Sequence, residues 1–197
     1  MQGQQEKFVA QSLRHLAQLR HVRVGNPDAG LPYPDGWFDL PQPVLADLGA
    51  MFFLTSLSPF HRNRPLSQVF SVLEPALRLK QYRIFRSDGH PRAFVTWAGL
   101  NRAAEHRFAV DHQPLKPEQW NSGNSVWVVD LVSPFGHIEQ VIRMLSANDR
   151  LGRLRTLWHN RAGTRARVIE WTRQAPGGDI RVTSYGRSQF SNLISRD

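Results

Sequence analysis

The chain has no cysteine among its 197 residues. That absence removes disulfides, thiolate nucleophiles and cysteine metal ligands together, and it fits a reducing, cytoplasmic setting. No apolar run approaches the roughly 18 to 20 residues that span a bilayer. The opening residues also lack the charged-then-apolar pattern of a secretory leader, so the expectation is a cytoplasmic protein with at most peripheral membrane contact. Walker and GxGxxG loops, HExxH and GxSxG are all missing, which leaves no motif-level case for a nucleotide site, a zinc protease or a serine hydrolase. Eight histidines are present, but His15 and His21, like His106 and His112, lie six apart and fall on different helix faces. No metal site is expected. Lysine is nearly absent too: of 25 basic residues only Lys7, Lys80 and Lys116 are lysines, leaving 22 arginines.

Those arginines outweigh 16 acidic residues and give a formal charge of +9. From Arg143 onward eleven arginines face Asp149, Glu170, Asp179 and Asp197, so +7 of that charge lies in the last 55 residues. A field of this kind favours an acidic partner, be it nucleic acid, an anionic surface or an acidic protein. With 41% hydrophobic residues the chain can bury one core, which predicts a single domain with an appendage.

The spacing of Phe8, Leu13, Leu16 and Leu19 predicts an amphipathic helix over 5–23. Gly25, Pro27, Gly30, Pro32, Pro34, Gly36, Pro41 and Pro43 then break regular structure, so residues 1–40 read as a helix and a Pro/Gly-rich arm, and 41–197 as the main domain. There, Leu45, Leu48, Phe52 and Thr55 predict a helix that starts at Pro43 and stops by Pro59. A second helix runs from Pro65 through Leu77. A hairpin follows, Gln81 to Arg86 and Arg92 to Ala98 around Asp88-Gly89. Next come a short helix near 102–109, an apolar strand from Val126 to Val132, and a helix through Ile138, Val141, Ile142 and Leu145. Three strands close the chain, Arg153 to His159, Arg165 to Arg173 and Ile180 to Tyr185. This order predicts an α/β (α+β) domain with a mixed, largely antiparallel sheet flanked by helices.

Within that frame, His61 follows the helix-ending turn, and 69 residues later Asp130 sits inside the apolar strand. An imidazole can take a proton near neutral pH, and a carboxylate can fix its tautomer or steady its cation. A carboxylate in such a strand is costly unless paired, so Asp130 serves either structure or chemistry. Ser58 lies three residues before His61. Period-two alternation puts Arg153 with Arg155, and Arg165 with Arg167 and Arg173, on shared strand faces that could grip phosphate. Trp97, Trp127 and Trp171 fall in apolar strands, where packing is the expected role rather than base stacking. Nucleic acid is therefore not the expected partner.

The motif Ser58-Pro59-Phe60-His61-Arg62-Asn63-x-Pro65, preceded by Leu48-Gly49, resembles the RTX toxin-activating lysine acyltransferases. So do Gln81-Tyr82, Pro91 with Ala93, and Trp97-Ala98. A second block also corresponds: Trp120-x-Ser122-Gly123, then Trp127-Val128-Val129-Asp130-x-x-x-Pro134-Phe135-Gly136. The likeness covers roughly residues 44–145. It implies an acetyltransferase-like (GNAT-type) fold and no bound cofactor. It further implies an acyl-acyl carrier protein donor, an acidic partner, and an RTX-type protoxin whose internal lysines accept the fatty acyl chain. His61 and Asp130 match the family's catalytic histidine and aspartate, with Ser58 in a supporting role and a homodimer as the expected assembly. Arg62, Asn63, Trp97, Arg165 and Arg167 are carried as candidate substrate-binding residues. Arg64 and Leu131 depart from the family's aromatic residues beside the two catalytic positions. Two other readings stay open: acylation of a different amine or secreted protein, and a non-catalytic basic module that binds an acyl carrier or nucleic acid.

Overall fold

The computed structural model describes residues 40–146, 152–160, 165–175 and 178–196; the helix and arm expected over residues 1–40 lie outside this set, apart from Leu40. Helix α1 (Gln42–Leu57) opens with proline in its first turn and ends at Ser58, whose extended backbone donates its N–H to Thr55 O. Helix α2 (Leu66–Leu79) follows Pro65 and stops at Lys80, which takes the left-handed conformation at φ 55°. Strands β1 (Tyr82–Ser87) and β2 (His90–Leu100) form the hairpin, and Asp88 and Gly89 both have positive φ, as the tight turn requires. Helix α3 (Arg102–Glu105), capped by the Asn101 side chain, runs straight into a π-turn at His106–Val110. Strand β3 (Ser125–Val132), helix α4 (Ile138–Ser146), and strands β4 (Arg153–His159), β5 (Ala166–Arg173) and β6 (Ile180–Tyr185) follow. The chain then forms helix α5 (Arg187–Arg196). This last helix is absent from the sequence reading, although Phe190, Leu193 and Ile194 carry its i, i+3, i+4 signature.

The six strands lie in sequence order. Every neighbouring pair is antiparallel except β3 and β4, which run parallel across the α4 crossover and pair at only two positions, Trp127 with Arg155 and Val128 with Thr156. On one face, α1 and α2 bring Met51, Leu54, Leu73 and Leu77 against Phe94 and Val132, while α3 and α5 bring Ala104, Phe190 and Ile194 against Ala98 and Trp127. The other face holds Val95, Val128 and Leu154, with Leu145 of α4 and Trp171 packed on them.

One irregularity decides where Asp130 points. Thr96 of β2 opposes Asp130, but the next residue, Trp97, opposes Val128, so Val129 is an extra residue in β3. Such a bulge inverts the in–out alternation beyond it. Val128 and Leu131, three apart, therefore share the α4 side, and Val132 joins the α1–α2 side. An unbulged strand would put Asp130 on the same side as Val128, away from His61.

The expected arginine face on β4 needs correcting. Arg153 is exposed, but Arg155 is only 2% exposed. Its guanidinium donates to Glu105 and Glu170 at 2.6 Å each, Trp127 Nε1–H donates to Glu105 and Tyr185 O–H to Glu170, and the Phe190 ring lies 5.2 Å away. A buried charge survives only with such pairing, so this arginine is a core residue and grips no ligand.

Candidate active site

Pro59 ends α1 and forces a turn in which Ser58 O accepts from both His61 N and Arg62 N, and His61 O accepts from Arg64 N. The turn folds His61 inward, leaving it 5% exposed, with Ser58 at 8%. Phe60 meets the imidazole edge-on at 5.0 Å and carries the Arg64 guanidinium on its ring at 4.7 Å. From β3, the bulge delivers the Asp130 carboxylate, whose Oδ1 lies 3.1 Å from His61 Nε2. Ser58 Oγ lies 2.9 Å from His61 Nδ1.

These contacts assign the protons. A carboxylate only accepts, so Nε2–H donates to Asp130 and Nδ1 turns its lone pair to the Ser58 hydroxyl, which donates. The result is a serine–histidine–carboxylate arrangement that can act as a relay, with the imidazole held in one tautomer and its lone pair aimed at a hydroxyl.

The relay borders a cavity of about 1120 Å3, at or beyond the upper end of ordinary ligand pockets of about 300 to 1,000 Å3. Its lining comes from both faces of the sheet. Val72, Trp120 and Val129 contribute from one face, and Leu131, Leu145 and Trp171 from the other. The space therefore runs through the gap where β3 and β4 cease to pair. Most of this lining is apolar, suited to a long hydrocarbon chain.

Of the candidate residues, Ser58, His61 and Asp130 meet in one place. Arg62 and Asn63 are exposed beside His61 but do not line the cavity, and Trp97 packs on the α4 side of the sheet. Arg165 and Arg167 are exposed around the start of β5, also outside the lining; Arg167 donates to Ser184. Arg64 and Leu131 both line the cavity. Three further lining residues were not among the candidate site residues, although Trp120 opens the second family-like block. Trp120 is 1% exposed, and its indole N–H has no acceptor among the described residues. His112 and His159 stand at the rim. Burial is the main cause holding the His159 imidazole below its ordinary pKa, followed by nearby His112 and Arg64, with Asp130 pulling weakly the other way. No sequence pattern marked these two, because their nearness to each other, and that of His159 to Asp130, comes from the tertiary fold. Among the described residues no cluster of three potential ligands could hold a metal ion.

Residues 41–172 match the RTX toxin acyltransferase family over two thirds of the chain. The chain belongs to that family. Within it, the RTX-II toxin-activating lysine-acyltransferase of Actinobacillus pleuropneumoniae is 37% identical over 89 residues, 45% of this chain and 56% of that protein. A protein-lysine myristoyltransferase of Escherichia coli is 37% identical over 89 residues, 45% of this chain and 51% of that protein. An uncharacterised Synechocystis protein is 34% identical over 107 residues, 53% of this chain and 73% of its own length. The chain thus spans about half the length of the toxin-activating relatives it matches, and no described helix is long and apolar enough to cross a membrane.

Proposed function

We propose that this protein transfers a fatty acyl group from acyl-acyl carrier protein to the ε-amine of internal lysines in a protein acceptor of the RTX-protoxin type. The observation that carries the reading is the Ser58–His61–Asp130 relay on a large apolar cavity, in a chain whose family members include toxin-activating lysine acyltransferases. The parallel β3–β4 pair that separates after two positions supports an acetyltransferase-like assignment, with the thioester arm lying in the gap. The donor is a substrate, so no resident cofactor is needed. A homodimer in the cytoplasm completes the proposal.

A lysine with a pKa of about 10.4 is almost wholly protonated at neutral pH and cannot attack a thioester until it loses a proton. In direct transfer the neutral amine attacks the thioester carbonyl, the C–N bond forms and the C–S bond breaks. The amine proton passes through the Ser58 hydroxyl to His61 Nδ1, Asp130 steadies the imidazolium, and the leaving thiolate takes a proton back. The 2.9 Å contact between Ser58 Oγ and Nδ1 favours a second route. There Ser58 attacks the thioester, His61 takes its proton and returns it to the thiolate, and the acyl-Ser58 ester is then aminolysed. Acylation of another amine and a non-catalytic basic module are the competing functions.

The test is transfer from acyl-acyl carrier proteins to an RTX-type acceptor, read as acyl mass on acceptor lysines. His61→Ala and Asp130→Ala are each expected to lose about 10²- to 10⁴-fold in rate, and transfer surviving in both sinks the site. Omitting the acceptor separates the routes. An acyl mass on the Ser58 peptide, absent in Ser58→Ala, selects the covalent route, and a clean enzyme selects direct transfer.

A further inference from the structure

Both ring nitrogens of His61 are committed, one to Ser58 and one to Asp130. The relay can activate Ser58 or accept a proton through it, but it has no free lone pair facing the cavity with which to discharge an incoming ammonium. His159 differs in each respect. It ends β4 on the same cavity and tilts against Phe60 with ring centroids 5.6 Å apart, while Phe60 in turn touches His61. Neither of its ring nitrogens is hydrogen-bonded among the described residues. On these grounds the geometry points to His159 as the base that deprotonates the acceptor lysine, a second catalytic histidine working beside the relay.

The step balances simply. The ammonium N–H bond breaks, its proton goes to a ring nitrogen of His159, and the lone pair left on nitrogen attacks the acyl carbon. The imidazolium then returns the proton to solvent at the cavity rim. The charged surroundings suit this task. His112 from the segment after the π-turn and Arg64 from the α1–α2 turn oppose a cation on His159, as burial does. Asp130 of β3 favours one only weakly. Arg165 and Arg167 on the β5 side flank Ala166, the register partner of His159. An imidazole kept neutral at physiological pH is ready to accept, and the same positive field eases proton loss from a lysine brought beside it.

The inference rests on the acyltransfer reading, and one experiment separates the two. Transfer rates at saturating donor are measured from pH 5.5 to about 10 for the wild type, His159→Gln and His112→Gln, with far-UV circular dichroism as a folding check and NMR titration of the His159 ring. The expected result is an about hundredfold loss at neutral pH in His159→Gln that shrinks as pH rises, because solvent then deprotonates the lysine unaided. The wild-type rate should fall only below the usual imidazole pKa, in step with the ring titration. Imidazole added to folded His159→Gly should restore part of the rate. A wild-type-like profile in His159→Gln, or the same signature in His112→Gln instead, overturns this inference and leaves the relay standing. A wild type that transfers nothing to any amine overturns both.

Discussion

At the residue scale, two charged groups with similar sequence credentials turn out to have opposite duties. Asp130 and Arg155 each sit in an apolar strand where an unpaired charge is costly. Asp130 keeps 19% of its side chain open and faces a cavity through His61. Arg155 is sealed between two carboxylates and two aromatic rings. The sequence supplied a reason to single out Asp130 but none to separate Arg155 from its exposed neighbours. Its partners Glu105 and Glu170 lie 50 and 15 residues away and are joined to it only by the fold. Arg155→Met strands both glutamates in the core and is expected to cost about 3 to 5 kcal/mol in chemical denaturation. The triple change with Glu105→Gln and Glu170→Gln should recover part of that loss. Tyr82 offers a pH test. Burial and the Asp47 carboxylate push its phenol up to about 12 from 10. The fold therefore favours the neutral phenol, and the stability this gives is present below pH 10 and lost as pH climbs through about 12. In urea melts the alkaline fall should be shallower in Tyr82→Phe than in the wild type.

At the element scale, the strand and helix order was legible because proline and glycine punctuate this chain heavily and apolar spacing fills the intervals. Helix α1 does run from the Pro41–Pro43 region to Ser58, and the hairpin does turn at Asp88-Gly89. The β3 bulge was not legible. Val126 to Val132 reads as an uninterrupted strand, and only pairing with β2 reveals Val129 as the extra residue. Deleting Val129 removes the extra residue and leaves Val128 opposite Trp97 and Asp130 opposite Thr96 in regular alternation, so Asp130 stays on the His61 side. The expected outcome is a folded protein, judged by circular dichroism, with transfer well above the level of Asp130→Ala; a fall to that level would mean the bulge itself is needed to aim the carboxylate at His61. The Trp120–Gly123 loop imposes a second constraint. It crosses β2 so closely that a Cβ on Gly123 would meet Leu100 O at 2.6 Å, and one on Gly99 would run into Gly123 O. Gly123→Ala must push backbone against backbone and is expected to lower the melting temperature by several degrees.

At the scale of the whole molecule, the +9 charge outlasts the loss of Arg155 to the core, since Arg153, Arg165, Arg167, Arg181 and Arg187 are all exposed. If the donor is carried by an acidic protein, raising salt from about 50 to 500 mM should increase the donor KM several-fold with little change in kcat, because screening acts on encounter and not on the enclosed relay. A KM indifferent to salt would remove charge from the account of donor binding. The gap between β3 and β4 has a wider consequence. On the proposed acyl transfer, two macromolecules would bring their reactive ends to one cavity, and a site with a single mouth would make them queue. A cavity lined from both sides of the sheet would then let one partner dock in front and the other behind, so that neither need leave before the other arrives.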